Sequence, residues 1–215
     1  MRSAIPVIFA GISISHAKVR DLLPADIRPP VRRGDLDQLR GPATTVVIID
    51  GELDPSALLS ACEIERAIAR GLDLRGASSV GAFRAAELRH RGMTGSGWVY
   101  RAFCTGRLTG TEEIAVLYDP RSFRPLTVPL VTVRFWLRRF VRTRVIAAPE
   151  AGAVMDDVKT LRLEDRTPQA VLRRLAESSL PEPMKEKIEA IRSPRYDIKA
   201  RDAHRLLRTL NCGAI

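Results

Sequence analysis

Short apolar runs alternate with amphipathic stretches through the first half of the chain, and this alternation sets the predicted elements. Residues 5–9 (IPVIF) form one apolar run, and residues 44–50 (TTVVIID) form a β-branched run closed by Asp-Gly. Runs of this length and composition predict strands buried on both faces. Residues 15–23 have helical spacing. Residues 27–30 (IRPP) are forced into extended backbone ahead of Pro29 and Pro30. GDLDQLR at 34–40 predicts a short helix, and 55–70 a longer one that ends at Gly71. LDLRG at 72–76 predicts a return to the sheet, 80–90 a helix, GMTGSG at 92–97 a flexible connection and 97–104 another helix. EEIAVLY at 112–118 fits either strand or helix.

Beyond this point the period changes. Leu130, Val133, Leu137, Phe140 and Val141 keep helical spacing, while Arg134, Arg138 and Arg142 fall four apart on another face. Residues 149–168 read as a polar connection. The stretches 167–178, 182–191 and 197–210 read as short amphipathic helices separated by proline. Strand–helix alternation followed by helices predicts an α/β fold. Its mostly parallel central sheet comes from the N-terminal half, with helices on both faces and a predominantly helical C-terminal part. Residues 1–147 are expected to be the core and 148–215 a helical extension packed on it as part of one structural unit.

At 215 residues the chain is long enough to bury a core without covalent staples. The apolar runs are too short to span a bilayer. The first 17 residues, MRSAIPVIFAGISISHA, imitate a secretory signal, but the same stretch reads as a buried first strand ending at Gly11. Three cysteines, Cys62, Cys104 and Cys212, with no CxxC spacing indicate neither a disulfide framework nor a metal site. A reducing, cytoplasmic setting is expected.

Charge narrows the class of partner. The net charge is +10, and the basic residues are five lysines and thirty arginines. Such a balance implies an acidic partner: nucleic acid, a membrane surface or an acidic protein. Residues 121–144 hold seven arginines and no acid. This fits nucleic-acid binding, a docking face for an acidic partner or a solvated helix face. Phe135, Trp136 and Phe140 have core-like spacing, and no RNA- or DNA-binding motif is present.

ASSVG at 77–81 surrounds Ser79 with small residues between a predicted strand and a predicted helix, as a nucleophile elbow requires. The Val80 N–H at the helix start would serve an oxyanion, and Arg84, one turn on, would neutralise an anion. Serine is also a preferred helix N-cap, so capping is the competing explanation. His16, His90 and His204 do not suggest a triad, and the other established base for a serine is a desolvated lysine. Of the five lysines, Lys199 in YDIKARDAHRLL is the one whose context allows burial, with Asp202 one turn later. Surface charge is the alternative reading of Lys199. Asp50 ends the principal strand, where it would orient the lysine or hold a backbone turn. Glu87 supports the site or pairs with Arg84 three residues away. GASSVGA lacks the G-K-[ST] ending of a phosphate loop, and no G-x-G-x-x-G occurs, so no cofactor or metal is expected.

These segments resemble the TfuA-like proteins. The resemblance lies in RPPVRRGDL, VVIIDGEL, EIERAIARGLDLRGASSVGAFRAAEL, RGMTGSG, TEEIAVLY, PLVTVR and KARDAHRLL, in that order, and is most specific at residues 76–87. It implies a partner of YcaO enzymes in replacing a peptide amide oxygen by sulfur. The implied activity is hydrolysis of a thiocarboxylated carrier protein of the ThiS type by a serine–lysine pair, with help to YcaO in engaging its precursor peptide. Ser79 would be the serine and Lys199 the lysine, while Val80 replaces the usual methionine and Ala61–Cys62 the common His-Lys. Arg134, Arg138 and Arg142 would face the partner. The alternatives are a non-catalytic adaptor that docks YcaO and its peptide or, less favoured, a nucleic-acid-binding protein.

Overall fold

The computed structural model describes residues 5–39, 44–177 and 197–212. Five parallel strands form one sheet: β1 (Val7–Phe9), β2 (Asp26–Arg28), β3 (Thr45–Ile48), β4 (Asp73–Gly76) and β5 (Thr94–Gly95), ordered β2-β1-β3-β4-β5. The fold is therefore α/β with a parallel sheet in its N-terminal half and helices after it. The helices are α1 (His16–Leu22), α2 (Ala61–Ala69), α3 (Val80–Glu87), α4 (Gly97–Cys104), α5 (Leu130–Arg142), α6 (Ala148–Lys159), α7 (Pro168–Glu177) and α8 (Ile198–Cys212). Among the described residues no helix is long and apolar enough to cross a membrane.

The pleat divides the apolar runs between two faces, because successive strand side chains point in opposite directions. Val7, Phe9, Val46, Ile48 and Leu74 pack with Ile64 and Ala67 of α2 and Ala85 of α3. Ile8, Ala10, Val47, Ile49 and Ala77 face the other way, onto Val19 of α1 and Ala203, Leu206 and Leu207 of α8. The last helix thus covers one face of the sheet built by the first half of the chain. It runs from the strands' carboxyl ends, where Asp202 accepts the Val99 amide, towards their amino ends, where Asn211 donates to the Leu22 carbonyl.

The chain divides into two compact units, residues 1–111 with 199–215, and residues 112–198. The first is the sheet and its helices. In the second, α5, α6 and α7 enclose their own core of Val133, Leu137, Phe140, Val154, Val158, Val171 and Leu175.

Several local expectations are corrected. Residues 34–38, within GDLDQLR, form a run of turns instead of a helix, since Gly34 sits at φ +93° and the buried Glu63 carboxylate takes the Gly34 and Leu36 amides. The predicted 55–70 helix starts only at Ala61. Asp54 first ties Ser56 into a turn, and Ser60 then caps the helix through the Glu63 amide. GMTGSG contains the fifth strand, because Thr94 and Gly95 pair with Arg75 and Gly76. Residues 112–118 form neither strand nor regular α-helix, only a 3-10 turn at Thr111–Glu113 and then irregular chain reaching a β-bridge at Tyr118. The polar connection is largely α6, whose Glu150 reaches back to the Ala147 amide. The expected 182–191 helix lies outside the described residues.

Candidate functional site

Open parallel sheets place ligands at the carboxyl ends of their strands, above all where the strand order reverses. Here the reversal lies between β1 and β3, and that position is filled from within. Asp50, fully buried after β3, accepts the Gly11, Ile12 and Ser13 amides at 3.2, 3.0 and 2.8 Å, and the Ser13 hydroxyl at 2.5 Å. A cluster of backbone N–H groups of this kind would otherwise hold a bound anion. The Asp50 carboxylate occupies it, which ties the loop after β1 to the end of β3.

One strand further along, β4 delivers Ala77, Ser78 and Ser79. Ala77 donates to the Ile48 carbonyl, and the Ser79 amide then folds back onto the Ala77 carbonyl at 2.9 Å. This closes a three-residue turn on Ser78, whose φ is +71°. A γ-turn of this hand is rare and strained for a residue with a side chain. Two glycines make the turn possible. A methyl on Gly76 would run into the Gly81 carbonyl, and one on Gly81 into the Ile48 carbonyl, so β3, β4 and α3 meet backbone to backbone. The Ile49 carbonyl takes both the Ser79 and the Gly81 amides, at 3.3 and 3.4 Å. The Val80 N–H, between them, opens the helix.

Ser79 occupies the N-cap position of α3 but makes no side-chain capping bond, with φ −115° and ψ −121°. It is buried, as is Ser78, whose hydroxyl has no hydrogen-bond partner among the described residues. Arg84, also buried, pairs with Glu87 at 2.5 Å and lies 5.1 Å from the Phe83 ring centroid, while its Nε makes no hydrogen bond to the described residues.

Of the lysines among the described residues, Lys18 and Lys159 are exposed and Lys199 is 3% exposed. Lys185 and Lys187 lie outside the described residues. Lys199 is in the first turn of α8, one turn before Asp202. The Asp202 carboxylate receives the Val99 amide at 2.7 Å and stands so close to Gly97, at φ +97°, that a methyl there would collide with it. Ser96, just before, donates its amide to the Gly76 carbonyl, and its buried hydroxyl has no partner among the described residues. The start of α8 therefore lies against the ends of β4 and β5, in the same compact unit as Ser79. Burial pushes the Asp202 carboxyl above its ordinary value, and the Val99 and Trp98 amides pull against that shift. His90 and His204 are exposed, and His16 bonds the Ala10 carbonyl through Nε2.

In the second unit Arg134 turns to Glu113, in a two-bond pair at 2.8 and 2.6 Å, while Arg138 and Arg142 are exposed. Sequence reasoning passed over Glu113, Glu63 and the γ-turn at Ser78. An acid in a short polar run carries no sign of the residue it will meet, but two serines beside small residues could have pointed to the turn.

Residues 50–167 match the family described as TfuA-like protein. The match starts at Asp50 and includes Ser79, Arg84 and Arg134, while α8 lies beyond it. No curated protein matches the chain at a significant level.

Proposed function

This chain belongs to the TfuA-like family, whose members are associated with YcaO-type thioamidation, and from that premise we propose that it releases sulfide from a thiocarboxylated ThiS-type carrier. The observation that carries this reading is the state of Ser79. It sits at a helix start, after a strained turn, at the ligand-binding end of a parallel sheet, and its hydroxyl is not spent on capping. The burial of Lys199 in the same unit supports its role as base.

In this mechanism the Ser79 Oγ attacks the carbonyl carbon of the carrier's C-terminal thiocarboxylate, and its proton passes to neutral Lys199. The Val80 N–H and the positive end of α3 stabilise the oxyanion, and Arg84 offsets the substrate's charge. The C–S bond then breaks, and sulfur leaves as hydrosulfide with the proton from Lys199. Water, deprotonated by the same amine, cleaves the Ser79 ester and frees the carrier carboxylate. Asp50 holds the neighbouring loop, and Asp202 fixes the helix that bears Lys199. The released sulfide would supply YcaO as it modifies its peptide.

Sulfide release from thiocarboxylated carrier, followed with a thiol-reactive dye, tests this. Turnover in the parent chain that is lost in both Ser79→Ala and Lys199→Ala, with thermal unfolding unchanged, is expected. Full activity in Lys199→Ala would displace that residue as base. The second reading, a non-catalytic adaptor, is favoured by Cys62, an exposed residue where the resemblance expects a lysine. It predicts no turnover by the parent chain and tighter YcaO–peptide association in its presence.

A further inference from the structure

Two arginines are buried among the described residues, Arg84 and Arg166. Arg84 has Glu87 as its counter-ion. Arg166, 6% exposed, makes no ion pair among the described residues, and its Nε and Nη1 have no hydrogen-bond partner there. Burial lowers its pKa and the charges of Glu113 and Glu164 act against that shift, yet a guanidinium keeps its proton near neutral pH. Both of those carboxylates are engaged elsewhere. Glu113 takes the Arg134 Nε and Nη2, and Glu164 takes the Arg162 Nη2. Arg166 is therefore a buried cation whose neighbouring acids are spent on other arginines, a costly state unless an anion joins it.

Its place in the second unit adds further donors. The Arg166 carbonyl accepts the Val128 amide at 2.7 Å, immediately ahead of the start of α5. Glu113, whose charge Arg166 feels, is bonded to Arg134 in the second turn of the same helix. Pro129 at the cap position of α5 makes no side-chain capping bond, and the first turn holds no acid. By contrast α7, which begins two residues after Arg166, is capped by the Thr167 hydroxyl through the Ala170 amide. An uncapped helix start leaves N–H groups unpaired and presents the positive end of the helix dipole.

Two vacant guanidinium nitrogens and an uncapped helix start offer more donors than the two oxygens of a carboxylate use, and they suit a tetrahedral oxyanion. We propose that Arg166 and the amino end of α5 form a phosphate-binding site. The phosphate is inorganic phosphate or the end of a phosphate monoester. Bound there, it supplies the counter-charge that the surrounding acids do not, and it ties the segment before α7 to the start of α5. The proposal is independent of the sulfide-release reading.

Equilibrium dialysis of the full chain against radiolabelled inorganic phosphate, at constant ionic strength in chloride, tests this. The variants are Arg166→Met and Pro129→Asp, the second of which puts a carboxylate at the vacant cap. The expected result is a single phosphate bound per parent chain and affinity weakened tenfold or more in both variants, with no displacement by an equal concentration of acetate. Displacement by adenosine monophosphate supports the site with a monoester as ligand, and its failure supports the site with inorganic phosphate. No binding by the parent, or parent-like binding in both variants, overturns the site. Displacement by acetate as readily as by phosphate overturns the assignment of phosphate. If Arg166→Met fails to fold, Pro129→Asp, which leaves the arginine in place, decides.

Discussion

The carboxylate of Asp202 caps helix α4 from the other end of the chain, accepting the Val99 amide at 2.7 Å across 103 positions of sequence. Ser96, the residue at the cap position of α4, makes no such bond with its own side chain. Asp202→Ala is therefore expected to cost about 1–2 kcal/mol, as the loss of a helix cap does. Asp202→Asn, which keeps an acceptor oxygen, should recover much of it. Urea unfolding of the three proteins checks both.

The same residue sets a pH dependence. Burial raises the folded-state pKa of Asp202 above its ordinary value, so the folded chain binds the proton more tightly than the unfolded one. Its contribution to stability is full below the unfolded pKa and is lost as pH rises through the folded one. Relative to the parent, Asp202→Asn should gain in melting temperature from about pH 4 towards neutrality and then level off. Thermal scans across that range measure the difference.

Ser79→Ala separates chemistry from structure. No capping bond is lost, so stability should change by less than about 0.5 kcal/mol, against the roughly 1 kcal/mol of a working cap. Sulfide release should fall to background. A large loss of stability would return Ser79 to a structural role.

Gly81→Ala tests the turn that presents the serine. The added methyl meets the Ile48 carbonyl, part of a central strand that has nowhere to move. Overpacking of backbone against backbone should cost about 3 kcal/mol or prevent folding. Gly152→Ala, within α6 and with nothing in reach of the added methyl, should instead raise stability by about 0.5–1 kcal/mol, as alanine for glycine does in a helix interior, and serves as the control. Denaturant midpoints compare the two.

Arg134 and Arg138 share a helix face by spacing but should respond differently. Arg134→Met takes both hydrogen bonds from the buried Glu113 carboxylate, with the Arg166 charge still felt there, a loss of about 2–3 kcal/mol, whereas Arg138→Met at an exposed position should stay within about 0.5 kcal/mol. Chemical denaturation distinguishes them. If Arg138 also serves docking, its change will appear in partner affinity and not in stability.

The strands and helices legible in the sequence were those whose signal is local. The β-branched run ending in Ile48 and the arginine and apolar periods of α5 carry their periodicity within a few residues, so strand, helix and fold class follow from side-chain shape and burial. The small residues around Ser79 are also local, because a tight strand-to-helix turn excludes bulk. The fifth strand, Thr94–Gly95, was not legible, since a two-residue strand has no period and exists through its bonds to β4. The burial of Lys199, the diversion of Asp50 to the loop after β1, the pairing of Arg134 with Glu113 and the capping of α4 by Asp202 were decided by tertiary structure alone. Each depends on a partner many residues away, and the free energy of a charge is set by what surrounds it once the chain has closed around it.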